Sequence, residues 1–209
     1  MAQSQTDALR EQLAVTACAI IEERGVQALT MHELAARAGI SPVHLGRVFE
    51  DRNALMEAVA DYWYRPMVAI MEEVVASELP ARRKLFEFFA RRFAKLRAKW
   101  EVDPSALAIY LEVGEQHFAQ IESYIDLADH YLGEIIGQAM SEGHFAGLGV
   151  DETISLINQM VAPYCSLPTT VMMMERLSEA KLARIVDALC DGLSGQDRGA
   201  LPVTGLRAA

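Results

Sequence analysis

Two groups of residues in this chain carry side chains capable of chemistry. Between positions 112 and 134 stand Glu112, Glu115, His117, Asp126, Asp129, His130 and Glu134, the side-chain types that a carboxylate-bridged metal pair uses. Such a centre inside a helical bundle wants glutamate and histidine at i, i+3 twice, with two further glutamates facing them. No Glu-x-x-His occurs anywhere in the sequence. A solvated acidic face accounts better for the cluster, and no metal is expected. No Gly-rich phosphate loop, G-x-S-x-G or Cys/His nucleophile arrangement is present either, so no catalytic residue and no cofactor is expected and the chain does not read as an enzyme. The second group is Thr30, Ser41, His44, Arg47 and Arg52. The chemistry open to it is hydrogen bonding, not bond breaking.

The elements that must position this second group are written in residues 29–55. Thr30 and Glu33 form a T-x-x-E capping box, and Leu29 and Leu34 are spaced to close a hydrophobic staple across it. A helix is therefore predicted from Met31, ended by Gly39 in the left-handed conformation with Ile40 making the apolar contact after the cap. Ser41 is a second N-cap, and Pro42 sits at the first helical position, where proline is welcome. Two short helices separated by so few residues make a helix-turn-helix signature. Such a turn crosses its helices steeply, so the second can enter a DNA major groove while the first braces it. The same turn would also serve as a plain corner in an all-helical core.

Flanking helices sharpen the pattern. Leu9, Leu13, Ala17, Ile20 and Ile21 recur at helical spacing from about Thr6 to Arg24, with Gly25 as C-cap, and Asp51 caps a helix striped with Leu55, Val59, Tyr62, Trp63 and Met67. With Ile21 to Gly25, Leu29-Thr30, Leu34-Ala35-Ala36, Ala38 to Ser41, Leu45, Phe49 and Ala54-Leu55 in place, residues 9–63 resemble the DNA-binding domain of the TetR family of transcriptional repressors. The fragment at 41–47 also resembles the second helix of the AraC family, which carries two such turns, but no second turn is found here.

The TetR resemblance implies an all-α protein: an N-terminal three-helix helix-turn-helix head over residues 1–50, and a C-terminal helical ligand-binding and dimerisation domain over 51–194. A helix at about 52–77 would link them, and 195–209 would form a disordered tail. It further implies that His44 and Arg47 reach base edges, that Thr30, Ser41 and Val43 set the helix against phosphates with Pro42 also in the DNA-binding surface, and that Arg52 anchors the backbone. The expected partners are a double-stranded, palindromic DNA operator, a second copy of the chain and a small apolar effector whose binding releases a repressor from DNA. By their place in such a fold, Phe89, Tyr110, His117, Phe118, Tyr131 and Met160 would line the effector pocket. Gly46 departs from the family, which usually has a phosphate-touching aromatic there, and glycine inside a helix costs about 1 kcal/mol relative to alanine. Residues 1–60 also hold five basic side chains against eight acidic ones, whereas neutralising phosphates usually supplies most non-specific affinity. A helical small-molecule-binding protein that has lost specific DNA binding is the alternative reading.

The bulk composition agrees with a helical protein of two parts: 209 residues, 52% hydrophobic, net charge −10. Residues 1–12 are polar and no apolar run approaches the length of a membrane span, so a cytoplasmic protein with no membrane partner is expected. Cys18, Cys165 and Cys190 are scattered without metal spacing, as buried thiols are. Eight basic residues against Glu87 alone crowd positions 80–100, interleaved with Leu85, Phe86, Phe88, Phe89, Phe93 and Leu96. That pattern predicts a helix with one buried face and a basic face solvated or paired with acids. Asp103-Pro104 starts a helix, a longer one is predicted from about Gln120 to Glu142, Asp151 is expected to cap another that Pro163 and Pro168 interrupt or kink, and Ser178 to cap the last.

Overall fold

The computed structural model describes residues 2–116 and 118–196, and every regular element among them is helical. The first helix, α1 (Ala2–Arg24), stops at Gly25, whose φ of 81° excludes most side chains. A 3-10 turn at Val26–Ala28 leads to α2 (Met31–Ala38). Thr30 Oγ1 accepts from the Glu33 amide at 3.1 Å, and Gly39 ends α2 at φ 66°. The amide of Gly39 donates to Ala36 and that of Ile40 to Ala35, which together close a Schellman motif. α3 (Pro42–Val48) starts on Ser41, whose hydroxyl accepts from the His44 amide. Asp51 caps α4 (Arg52–Ala76) by accepting from Ala54 at 2.9 Å. α4 then runs through Pro66, which has no N–H to give the carbonyl of Tyr62.

Two apolar cores follow. The first joins Leu13, Ile20 and Ile21 of α1 to Leu34, Leu45, Phe49, Leu55 and Val59, so burial of one face of every short helix holds the turn at its crossing angle. It also takes in Val113 from α6 (Pro104–Gln116). The second is built by α5 (Ala81–Val102), α7 (Phe118–Ser141), α8 (Val150–Cys165) and α10 (Glu179–Gly192), with Phe88, Phe89, Phe93, Ile136, Ile157, Leu182 and Val186 among its buried members. α4 serves both cores, Leu55 and Val59 in the first and Met71 and Val74 in the second.

Several local expectations change. Gly149, not Asp151, is the N-cap of α8, and Asp151 lies in its first turn, where a carboxylate favourably meets the helix N-terminal charge. Pro163 is carried within the last turn of α8. Pro168 belongs instead to the first turn of a separate α9 (Leu167–Met173), where a missing N–H leaves no helical bond unmade. Ser178 does cap α10, accepting from Lys181. The basic face of α5 is paired from several directions: Arg82 with Asp187 and Asp191, Arg91 with Glu73 and Glu87, Arg97 with Glu101, and Lys99 with Glu22. Two of its cations, Lys84 and Arg92, turn inward and are buried. The predicted tail lies, from residue 197 onward, outside the described residues.

Candidate nucleic-acid interface and ligand cavity

The capping chemistry that ends α2 and starts α3 also sets out a polar surface. Thr30, Ser41, Pro42, Val43, His44 and Arg47 are all exposed, and Val43 keeps 70% of its surface in solvent. Thr30 and Ser41 use an oxygen lone pair as helix cap, so each retains its O–H proton for an external acceptor.

The arginines of the head are divided in use. Arg24 pairs with Glu33 at 2.7 Å, and Arg37 holds Glu23 with two contacts of 2.5 and 2.6 Å, a bidentate pair that keeps the Glu23 carboxyl below its ordinary range. Arg10 reaches from α1 to the carbonyls of Val48 at 3.4 Å and Ala54 at 3.3 Å, with its guanidinium over the Phe49 ring. It therefore ties the end of α3 to the start of α4. Arg52 is partly buried and donates to the Val26 carbonyl at 3.3 Å, and its Nε has no partner among the described residues. From the first position of α4, its side chain braces the turn below α2. Arg47 alone of the five has no ion-pair or hydrogen-bond partner among the described residues, and it points from the exposed face of α3. Arg10 was not singled out by the sequence, because the carbonyls it holds are 38 and 44 positions away.

In the body, a cavity of about 290 Å³ opens between α4 and α7, lined by Ala60, Tyr64, Val68, Ser123, Tyr124 and Leu127 together with the charged Asp61 and Arg65. The rings of Tyr64 and Tyr124 stack there with centroids 4.1 Å apart, and burial pushes the Tyr64 phenol up to about 12. The six residues expected at an effector pocket are not gathered around this cavity. Phe89 is sealed in the core with its ring edge against Phe88. Tyr110 lies at the junction of head and body, 4.1 Å from the Trp63 ring and bonded to Glu22 and Lys99. Tyr131 donates its O–H to Glu72 at 3.1 Å, and Met160 is half exposed on α8. His117 lies outside the described residues, as does the side chain of Phe118. Among the described residues no group of His, Cys, Asp or Glu could hold a metal ion.

An exposed helix-turn-helix joined through one long helix to a helical body defines a class of DNA-binding regulators. Residues 13–59 match the family described as "Bacterial regulatory proteins, tetR family", and residues 81–186 match "Tetracyclin repressor-like, C-terminal domain". The chain belongs to the TetR family and is a ligand-responsive transcription regulator, one of a family of regulators, not enzymes. Solved structures share its fold. A transcriptional regulator from Pseudomonas aeruginosa PAO1 aligns with a TM-score of 0.67 at 18% identity over 89% of this chain and 90% of that one. The fatty acid degradation regulator FadR of Bacillus halodurans aligns with a TM-score of 0.65 at 15% identity, covering 88% and 95%. FadR of Bacillus subtilis, in complex with stearoyl-CoA, aligns with a TM-score of 0.59 at 19% identity, covering 87% and 98%. Among curated proteins none is detectably similar in sequence.

Proposed function

We propose that this chain is a homodimeric repressor that occupies a palindromic operator and leaves it when a small molecule with an apolar body binds between α4 and α7. The observation that carries the reading is Arg47: an arginine without a partner among the described residues, standing with His44 and Val43 on the outer face of a helix whose start, end and crossing are fixed by Ser41, Arg10 and the head core. A twofold dimer would present two such helices to half-sites about 34–36 Å apart or a multiple of it. The stearoyl-CoA complex of the Bacillus subtilis fold relative supports an apolar-chain effector for this one. Arg65 at the cavity mouth pairs with Glu11 of α1 at 2.5 Å, so occupancy there would bear on the head through differential affinity for two head positions. No helix among the described residues is long and apolar enough to cross a membrane; separately, action on an operator favours a cytoplasmic protein.

The test is a mobility shift of the purified protein on the DNA upstream of its own coding region, at low and at physiological salt. A specific shift with a palindromic footprint is the expected result. Replacing Arg47 with Ala should weaken that complex by about 1–3 kcal/mol and relax preference at one base position. Equal weakening on every sequence would make Arg47 a phosphate contact instead. The pairing of the other arginines favours a second reading, a small-molecule-binding protein that has lost operator recognition. That reading requires no sequence-specific shift even at low salt, and no rescue by Gly46→Tyr.

A further inference from the structure

Buried cations in proteins are ordinarily paired with an anion, because an ionic group out of water is costly unless something compensates it. Lys84 meets this rule through the α4 C-terminus: its Nζ donates to the Val75 carbonyl at 2.7 Å, where the helix dipole is negative. Arg92 does not. It is 8% exposed, and its contacts are the Phe88 carbonyl at 2.9 Å, the Met71 sulfur at 3.6 Å and the Tyr124 hydroxyl at 3.5 Å. No described carboxylate forms an ion pair with it. Asp129, on the facing α7, is held by the Asn158 amide at 2.8 Å instead. The faces of Phe88 and Phe89, 4.1 and 5.4 Å from the guanidinium carbon, soften the burial, but they leave the charge without a counter-ion among the described residues.

Tyr124 connects this charge to the cavity. Its ring lines the space between α4 and α7, stacked on Tyr64, while its hydroxyl rests on Arg92. A phenol that accepts from a guanidinium keeps its own O–H to donate, so Arg92 and Tyr124 together offer charged and neutral donors to a single acceptor. We infer that Arg92 and Tyr124 form the recognition end of the effector site, and that the effector is a small amphipathic carboxylate whose apolar body lies in the cavity along Tyr64, Val68 and Leu127. One guanidinium matches one carboxylate in charge, and a cavity of about 290 Å³ is at the small end for ligand sites. The inference rests on the effector-responsive reading above and names the chemistry of that effector.

The experiment is titration calorimetry of the full chain with octanoate and with octanol, which share an apolar body and differ in charge. Octanoate should bind, and octanol about tenfold more weakly or worse. Arg92→Gln should lower octanoate affinity by about tenfold and leave octanol unchanged, whereas Arg24→Gln, in the head and lining no part of the cavity, should leave octanoate within about threefold. Should Arg92→Gln fail to fold, Tyr124→Phe keeps the ring and removes the donor, and it should weaken octanoate alone. Equal binding of acid and alcohol overturns the inference. So does octanoate binding that ignores both Arg92→Gln and Tyr124→Phe, inorganic phosphate binding as tightly as octanoate, or no saturable binding across straight-chain acids from butanoate to dodecanoate. Operator binding by the ligand-free protein is read separately. If it is present while the acids fail, the Arg92 assignment falls and the regulator stands; if it is absent while the acids bind, the reverse holds.

Discussion

Gly46 leaves the outer face of α3 bare, and a β-carbon added there meets nothing within 4 Å. Since no neighbour opposes it, Gly46→Ala should stabilise the protein by about 1 kcal/mol through helix propensity alone. The readout is the midpoint of urea unfolding, and a fall in that midpoint would mean that the bare position serves the fold and not only the surface. The thiols answer a different probe. Burial pushes Cys18 up to about 12 and Cys190 up to about 11, so both stay protonated and unreactive while the chain is folded. A raised folded pKa means that this stabilisation is complete below the ordinary thiol range and is lost as pH rises from there toward about 12, because the unfolded thiols ionise first. Alkylation with iodoacetamide near pH 8, just below the free-thiol pKa of about 8.5, should leave Cys18 unmodified until denaturant is added. Rapid modification of the native protein would contradict its burial.

Between elements, the tie of greatest consequence is Arg10, which holds α3 and α4 by their carbonyls. Arg10→Met keeps the aliphatic stem and removes the donors, and should destabilise the head by about 1.5–3 kcal/mol, the range for hydrogen bonds to charged groups. Hydrogen exchange should show faster opening of α3 than of α5; uniform or unchanged exchange would sink the idea. The contrast with α2 explains what could be read in advance. Thr30, Glu33, Gly39, Ser41 and Pro42 act on partners a few positions away, so the turn and its caps were legible from spacing. Arg10 was not, nor was Glu142, which caps α5 by accepting from the Ala81 amide across 61 positions. Pro66 inside α4 and Gly149 at the start of α8 show that local signals do not by themselves decide where a helix continues or begins. The cavity between α4 and α7 was illegible for a related reason: apolar periodicity says that a helix has a buried face, but the rotation that sets Tyr64 against Tyr124 is fixed only by the neighbours of both helices.

At the scale of the whole chain, charge does much of the joining between distant segments. Arg82 draws Asp191 and Asp187 of α10 to α5, and Arg37 draws Glu23 of α1 to α2. The hydrogen bonds from Arg37 hold Glu23 below the ordinary carboxylate range, those from Arg82 do the same for Asp191, and those from Gln138 and the Ala81 amide do so for Glu142. Carboxyl groups depressed in the folded state add stability that is present above their unfolded pKa and lost as pH falls through the folded one. Thermal unfolding should therefore be insensitive to pH near neutrality and move to lower temperature once pH drops below the ordinary carboxylate range. High salt should narrow that difference, since these groups are exposed and screened; a melting temperature flat into strong acid would show that the pairs contribute nothing.

The internal pairing of the head arginines also bears on how such a protein finds its target. On the operator-binding reading, a head with four of its five cations engaged within the fold would grip random phosphate weakly, and in a genome where wrong sites outnumber the right one by about a millionfold or more, weak grip would be an advantage. Few copies would be held up on bystander sequence, and the search would proceed by repeated encounters from solution in preference to long sliding excursions. Such a regulator would give up residence time everywhere, so that occupancy of one sequence would be decided by the few side chains that read it.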